Sequence, residues 1–179
     1  MLKSLIAAAF GVALGTCSLV TSAQTQKFQK WTVYNYSGGP SALTFNDSQN
    51  GLGPVCSDET NACYWMILSP GTACSDGVKS PVLINASSGS YSLVAHCTGS
   101  IELAGTTYHR YLISKYEEMQ RIAESSTGLI GFAIPLDSGS FSVLRFDLTG
   151  AKAALKSFDK ISDDFLNRQQ KSSTKDIRL

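Results

Sequence analysis

At 179 residues, with 43% apolar and 16% charged side chains, the chain has the length of one domain and enough apolar material for a core, which excludes an intrinsically disordered protein. Its formal net charge of +1 provides neither the basic excess that nucleic-acid binding uses nor the acidic excess of a solvating tail.

The N-terminal residues point to a compartment. Lys3 makes a positive start, Leu5 to Leu14 is an apolar run, and Thr21-Ser22-Ala23 supplies small residues ahead of Gln24. That order is the order of a signal peptide over 1–23, cleaved after Ala23. Gly11, Gly15, Thr16 and Ser18 interrupt the run, which falls short of the roughly 20 apolar residues of a spanning helix. The expectation is therefore no stable membrane span after cleavage and a periplasmic or secreted location. Cys17 offers a lipoprotein reading, but Thr16 occupies the position where a lipobox takes Gly, Ala or Ser.

Loss of 1–23 removes Cys17 and leaves Cys56, Cys63, Cys74 and Cys97. Four cysteines in an exported chain read as two structural disulfides with three possible connectivities. Spacing does not fix the connectivity; pairing of sequence neighbours, Cys56–Cys63 and Cys74–Cys97, is the expectation. The separations of 7, 11 and 23 contain no C-x-x-C pair, so zinc-site and thioredoxin-like spacings are missing. No metal or cofactor is expected.

The remaining elements follow in chain order. Gln24 to Gln29 is polar and reads as a frayed start. Lys30 to Tyr36 alternates and carries β-branched and aromatic residues, the pattern of a strand, stopped by Ser37-Gly38-Gly39-Pro40. Ala42 to Phe45 is a short strand, and Asn46 to Pro54, rich in Asn, Asp, Ser and Gly, is a loop. Cys63 to Leu68 is a compact apolar strand ended by Ser69-Pro70-Gly71. Val82 to Asn85 and Ser90 to His96 form a hairpin, and Tyr108 to Ile113 is a further strand. Tyr116, Met119, Ile122 and Ala123 fall at helical spacing and predict a short helix over 117–124. Gly128 to Leu136 and Phe141 to Leu148 make a second hairpin through Asp137-Ser138-Gly139-Ser140, with Pro135 expected at an edge or bulge. Thr149 is the expected cap of a final helix whose Leu155, Phe158, Ile161 and Phe165 form one apolar face. The fold class is mainly β: a sandwich or bent antiparallel sheet of about seven to nine strands. One C-terminal amphipathic helix and the short internal helix complete it. The folded domain is expected over 24–170, with a flexible polar tail at 171–179.

Candidate chemistry is sparse. His96 and His109 are the two histidines, and a hydrolase would need one of them beside an activated serine and a carboxylate. Asp137-Ser138-Gly139 superficially resembles the sequence around a trypsin-like serine, but Asp, Ser and Gly are ordinary hairpin-turn residues. Glu117 and Glu118 are adjacent on a helix and do not face one cleft. Asn35, Asn46 and Asn85 head glycosylation-type triplets that matter only in a eukaryotic secretory pathway. No residue is assigned a catalytic role. Tyr108, Arg110 and Tyr111 are the candidate partner patch, because Tyr and Arg are enriched at interface hot spots.

Phe146-Asp147-Leu148-Thr149-Gly150-Ala151, followed by Ala153-Ala154-Leu155, runs from a strand into a helix. With the early Trp31 and the paired cysteines, it resembles the closing motif of the invasion-associated locus B family and of periplasmic accessory proteins linked to type VI secretion. The resemblance covers the last quarter of the chain and carries over no catalytic residue. It implies a non-enzymatic exported binding protein whose partner is a protein or envelope component. The alternatives are an inhibitor or immunity protein that blocks a toxin or hydrolase and, third, a periplasmic hydrolase using His96 or His109.

Overall fold

The computed structural model describes residues 24–136 and 139–173. The signal-peptide and Cys17 readings, Asp137-Ser138 of the hairpin turn, and residues 174–179 lie outside the described residues. Eight strands come first: β1 (Gln24–Phe28), β2 (Trp31–Tyr36), β3 (Gly39–Phe45), β4 (Gly51–Ser57), β5 (Ala62–Ser69), β6 (Lys79–Ala86), β7 (Gly89–Leu103) and β8 (Thr106–Ile113). Helix α1 (Tyr116–Ser125), strands β9 (Leu129–Pro135) and β10 (Phe141–Asp147), and helix α2 (Ala151–Ser173) follow.

All ten strands join one antiparallel sheet in the order β1-β2-β3-β4-β5-β8-β7-β6-β9-β10. The mainly β fold with a C-terminal helix is thus present, as a bent sheet. Period-2 alternation sends Trp31, Val33, Trp65, Ile67, Val82, Ile84, Ile130 and Phe132 inward, and the sheet curls around them. The curl brings β10 to the opposite end of the sheet. There the indole Nε1 of Trp31 donates to the Asp147 carbonyl (3.1 Å), and Asn46 Nδ2 donates to the Arg145 carbonyl (3.1 Å). The Lys30 amide donates to the Thr149 carbonyl (3.3 Å). Isolated donors thus do at this seam what a ladder does elsewhere, and they cap part of an exposed strand edge. Trp31 meets Trp65 edge-on at 6.3 Å, and Phe132 meets Phe146 edge-on at 5.8 Å. Helix α2 lays Leu155 and Phe158, both fully buried, over β2 and β3, while α1 packs on β5 and α2.

Four local expectations change. The polar Gln24–Phe28 segment is a strand, paired with β2 from Gln24↔Asn35 to Phe28↔Trp31, because backbone pairing along an edge requires no apolar side chain. The expected loop over 46–54 is shorter, and β4 begins at Gly51. Asn46 Oδ1 gathers the amides of Ser48 (3.1 Å) and Asn50 (2.9 Å) into the tight turn. Gly53, at φ +156°, then allows β3 and β4 to approach, since a Cβ there would collide with the Ala42 carbonyl. At the start of α2, Thr149 is not the cap: its amide donates to Asp147 Oδ1 (2.8 Å), and Gly150 at φ +91° is the last residue before the helix. Helix α2 continues through Ser173, beyond the domain end expected at 170. Pro135 ends β9 beyond Leu83↔Ala133, the last pair of the β6–β9 ladder, where its missing N–H breaks nothing.

Candidate functional site

The cysteines pair as neighbours in sequence. Cys56 and Cys63 sit directly opposite each other across β4 and β5, and Cys74, in the segment after β5, reaches Cys97 on β7; the sulfurs are 1.99 Å apart in both pairs. Two such pairs belong to an oxidising, exported environment. Among the described residues no helix is long and apolar enough to cross a membrane.

Tyr108, Arg110 and Tyr111 do not form one exposed surface. Tyr108 and Tyr111 are buried, and strand alternation sends them to opposite faces of β8. The Tyr111 hydroxyl donates to the carbonyls of Thr72 (3.0 Å) and Ala73 (3.3 Å), so it anchors the Cys74 segment. Arg110 Nη2 donates to the Thr98 carbonyl, bridging the irregularity in β7 between Cys97 and Ser100. His96 and His109 lie partly buried on β7 and β8, and among the described residues neither imidazole makes a hydrogen bond to a hydroxyl or carboxylate. Glu117 is exposed at the first turn of α1, and Glu118 pairs with Lys115 at 3.2 Å. Both carboxylates suit the positive end of the helix dipole.

Two polar clusters are internally satisfied. At the seam, a cleft of about 410 Å³ is lined by Asn50, Ser69, Thr72 and Ser142. Ser69 Oγ donates to Asn50 Oδ1 (2.7 Å), the Thr72 amide donates to Ser69 Oγ (3.0 Å), and the Thr72 and Ser142 hydroxyls meet at 2.9 Å. Between the helices, Gln120 accepts from Trp65 Nε1 (3.1 Å) and donates to Glu124 (2.9 Å) and Asp159 (3.3 Å). Burial, with the charges of Glu124 and Asp163, pushes the Asp159 carboxyl up to about 6. Burial and the same acidic neighbourhood, Asp159 foremost, raise the Tyr116 phenol.

The outer face of β7, β6, β9 and β10 is different. Register sets its side chains in rows across the strands. Val94 lies opposite Pro81, and Pro135 opposite Phe141. The next row is Ser92, Leu83, Ala133 and Val143, and the one after is Ser90, Asn85, Gly131 and Arg145. Leu129 follows on β9. Leu83 is 54% exposed, Val143 53%, Phe141 59% and Leu129 60%, so apolar side chains that the core does not use stand together in water. Leu83, Val143 and Leu129 border a groove of about 450 Å³. Sequence reasoning recognised these strands but not this surface. The available signal was the run Leu129-Ile130-Gly131-Phe132-Ala133-Ile134, apolar at positions that face both ways, as in strands covered on both faces.

Comparison with protein-family models, with curated proteins and with solved structures finds no match.

Proposed function

We propose that this chain is a non-enzymatic exported binding protein of the envelope-accessory or invasion-associated kind, and that it binds through the outer face of β6, β9 and β10. The observation that carries the reading is the cluster of Leu83, Phe141 and Val143, each more than half exposed on one face, with Leu129 exposed on the same face across the Asn85–Arg145 row. Contiguous apolar surface of this kind is uncommon on monomeric soluble proteins and marks interaction sites. Two disulfide pairs suit a scaffold that holds such a face outside the cell. A photo-crosslinking residue at Val143, with one at exposed Lys156 as control, tests this in the native envelope. Discrete adducts are expected from position 143 and not from 156. Their absence from position 143, with normal expression, overturns the reading.

A further inference from the structure

The groove on this face has a floor that the fold itself does not explain. Gly131 lies in the middle of β9, paired on one side with Asn85 and on the other with Arg145. Glycine inside a strand is destabilising by roughly 0.5–1 kcal/mol relative to alanine. Two of the usual intramolecular reasons, a positive φ and a crowded backbone, are missing. Gly131 is not among the residues at positive φ, and a Cβ there would meet only the Asn85 carbonyl at 3.8 Å and the Leu144 carbonyl at 4.0 Å, ordinary contact distances. Strand glycines mark bulges, bends of the sheet or places where a ligand or another backbone comes close, and the ladders on both sides of Gly131 run without a register shift.

The wall chemistry identifies the ligand class. Leu83, Ala133 and Val143 make one side of the groove apolar, Asn85, Ser90 and Arg145 form a polar row beside them, and Leu129 lies beyond that row. Arg145 is exposed, and among the described residues it has no acidic side chain within ion-pair distance. A guanidinium is suited to grip a carboxylate with two hydrogen bonds. From Arg145 to Leu83 the groove spans two residues along the strands and two strand spacings across them, about 12 Å at roughly 3.4 Å per residue and 4.8 Å per strand, the reach of an extended chain of about ten carbons. The volume of about 450 Å³ lies within the range of small-molecule sites, about 300–1,000 Å³.

We infer that the hollow over Gly131 binds a single-chain amphiphile bearing a carboxylate, with its chain along Leu83, Ala133 and Val143 and its head on Arg145. This rests on the outer face being the binding surface. The probe is dodecanoate below its micelle concentration, titrated calorimetrically against the full mature chain, with dodecanol and acetate as the uncharged and chainless comparisons. One saturable site is expected, with dodecanol about tenfold weaker, one charge-assisted contact by the usual scale, and acetate without measurable binding. Gly131→Val, a residue suited to strands, fills the hollow and should weaken dodecanoate at least tenfold with little change in melting temperature. Arg145→Gln should abolish the preference for dodecanoate over dodecanol, and Leu83→Asp, which leaves Gly131 untouched, should also weaken dodecanoate. No saturable binding to the parent, or equal binding by Gly131→Val, overturns the inference. If dodecanoate fails while position 143 still crosslinks to a protein, the amphiphile is refuted and the binding face stands; if both fail, both are refuted.

Discussion

Replacing Asp159 with Asn should stabilise the protein at neutral pH. Asp159 is half-buried between α1 and α2, where Gln120 donates to it and the carboxylates of Glu124 and Asp163 face it. Its folded-state pKa of about 6 lies above the ordinary 3.8. A raised carboxyl pKa means that the folded state favours the proton. The stabilising contribution is fully present below pH about 4 and is lost as pH rises through 6. The unscreened shift corresponds to about 3 kcal/mol at neutral pH. Solvent access to the pair reduces this to about 1 kcal/mol. Asn keeps an acceptor for Gln120 and removes the charge. At pH 7.5 the D159N variant should therefore melt about 2–4 °C higher than the parent. The gap should narrow below pH 6 and close near pH 3.5. Thermal melts followed by circular dichroism at pH 7.5, 5 and 3.5, with disulfides intact, measure this. A variant less stable at pH 7.5 would show that the Gln120 hydrogen bond outweighs the repulsion, and either that result or a gap independent of pH would refute the reasoning.

The other tests concern the scaffold. Replacing Cys74 and Cys97 by Ser opens the 23-residue separation and should cost about 3 kcal/mol, against about 2 kcal/mol for Cys56 and Cys63 with their separation of 7; denaturant titration ranks the two. Trp31→Phe keeps an aromatic ring but leaves the Asp147 carbonyl at the seam without its indole donor. It should cost about 1–2 kcal/mol and speed hydrogen exchange in β10 more than in β7. Gly53→Ala places a Cβ against the Ala42 carbonyl at a backbone conformation that L residues avoid. A loss of at least about 2 kcal/mol is expected, and a variant as stable as the parent would remove the close-approach account of β4.

Elements with a strong period were legible in sequence. Tyr116, Met119, Ile122 and Ala123 announced α1, and the apolar runs around Ile130 and Leu144 announced the β9–β10 hairpin. Strands whose formation depends on a neighbour were not. In β1, Gln24 to Lys27 offer no apolar alternation, and in β4 the glycines that look like turn residues are needed because β3 lies so close. The candidate site was hidden for a related reason. Leu83 is far in the chain from Phe141 and Val143, and only the register Leu83↔Ala133↔Val143 brings it into one row with Val143. Tyr108 and Tyr111 misled in the opposite direction, because tertiary packing, and not residue type, decides whether a strand tyrosine meets solvent.

The most direct test of the central claim asks whether the exposed apolar rows serve binding and not folding. Leu83→Asp/Val143→Asp places two charges on side chains that are each more than half exposed. The double variant should melt within about 2 °C of the parent, as exposed substitutions do, and should lose the crosslinks formed from position 141, on the same apolar face. Unfolding of the variant, or undiminished crosslinking from that position, would contradict the account.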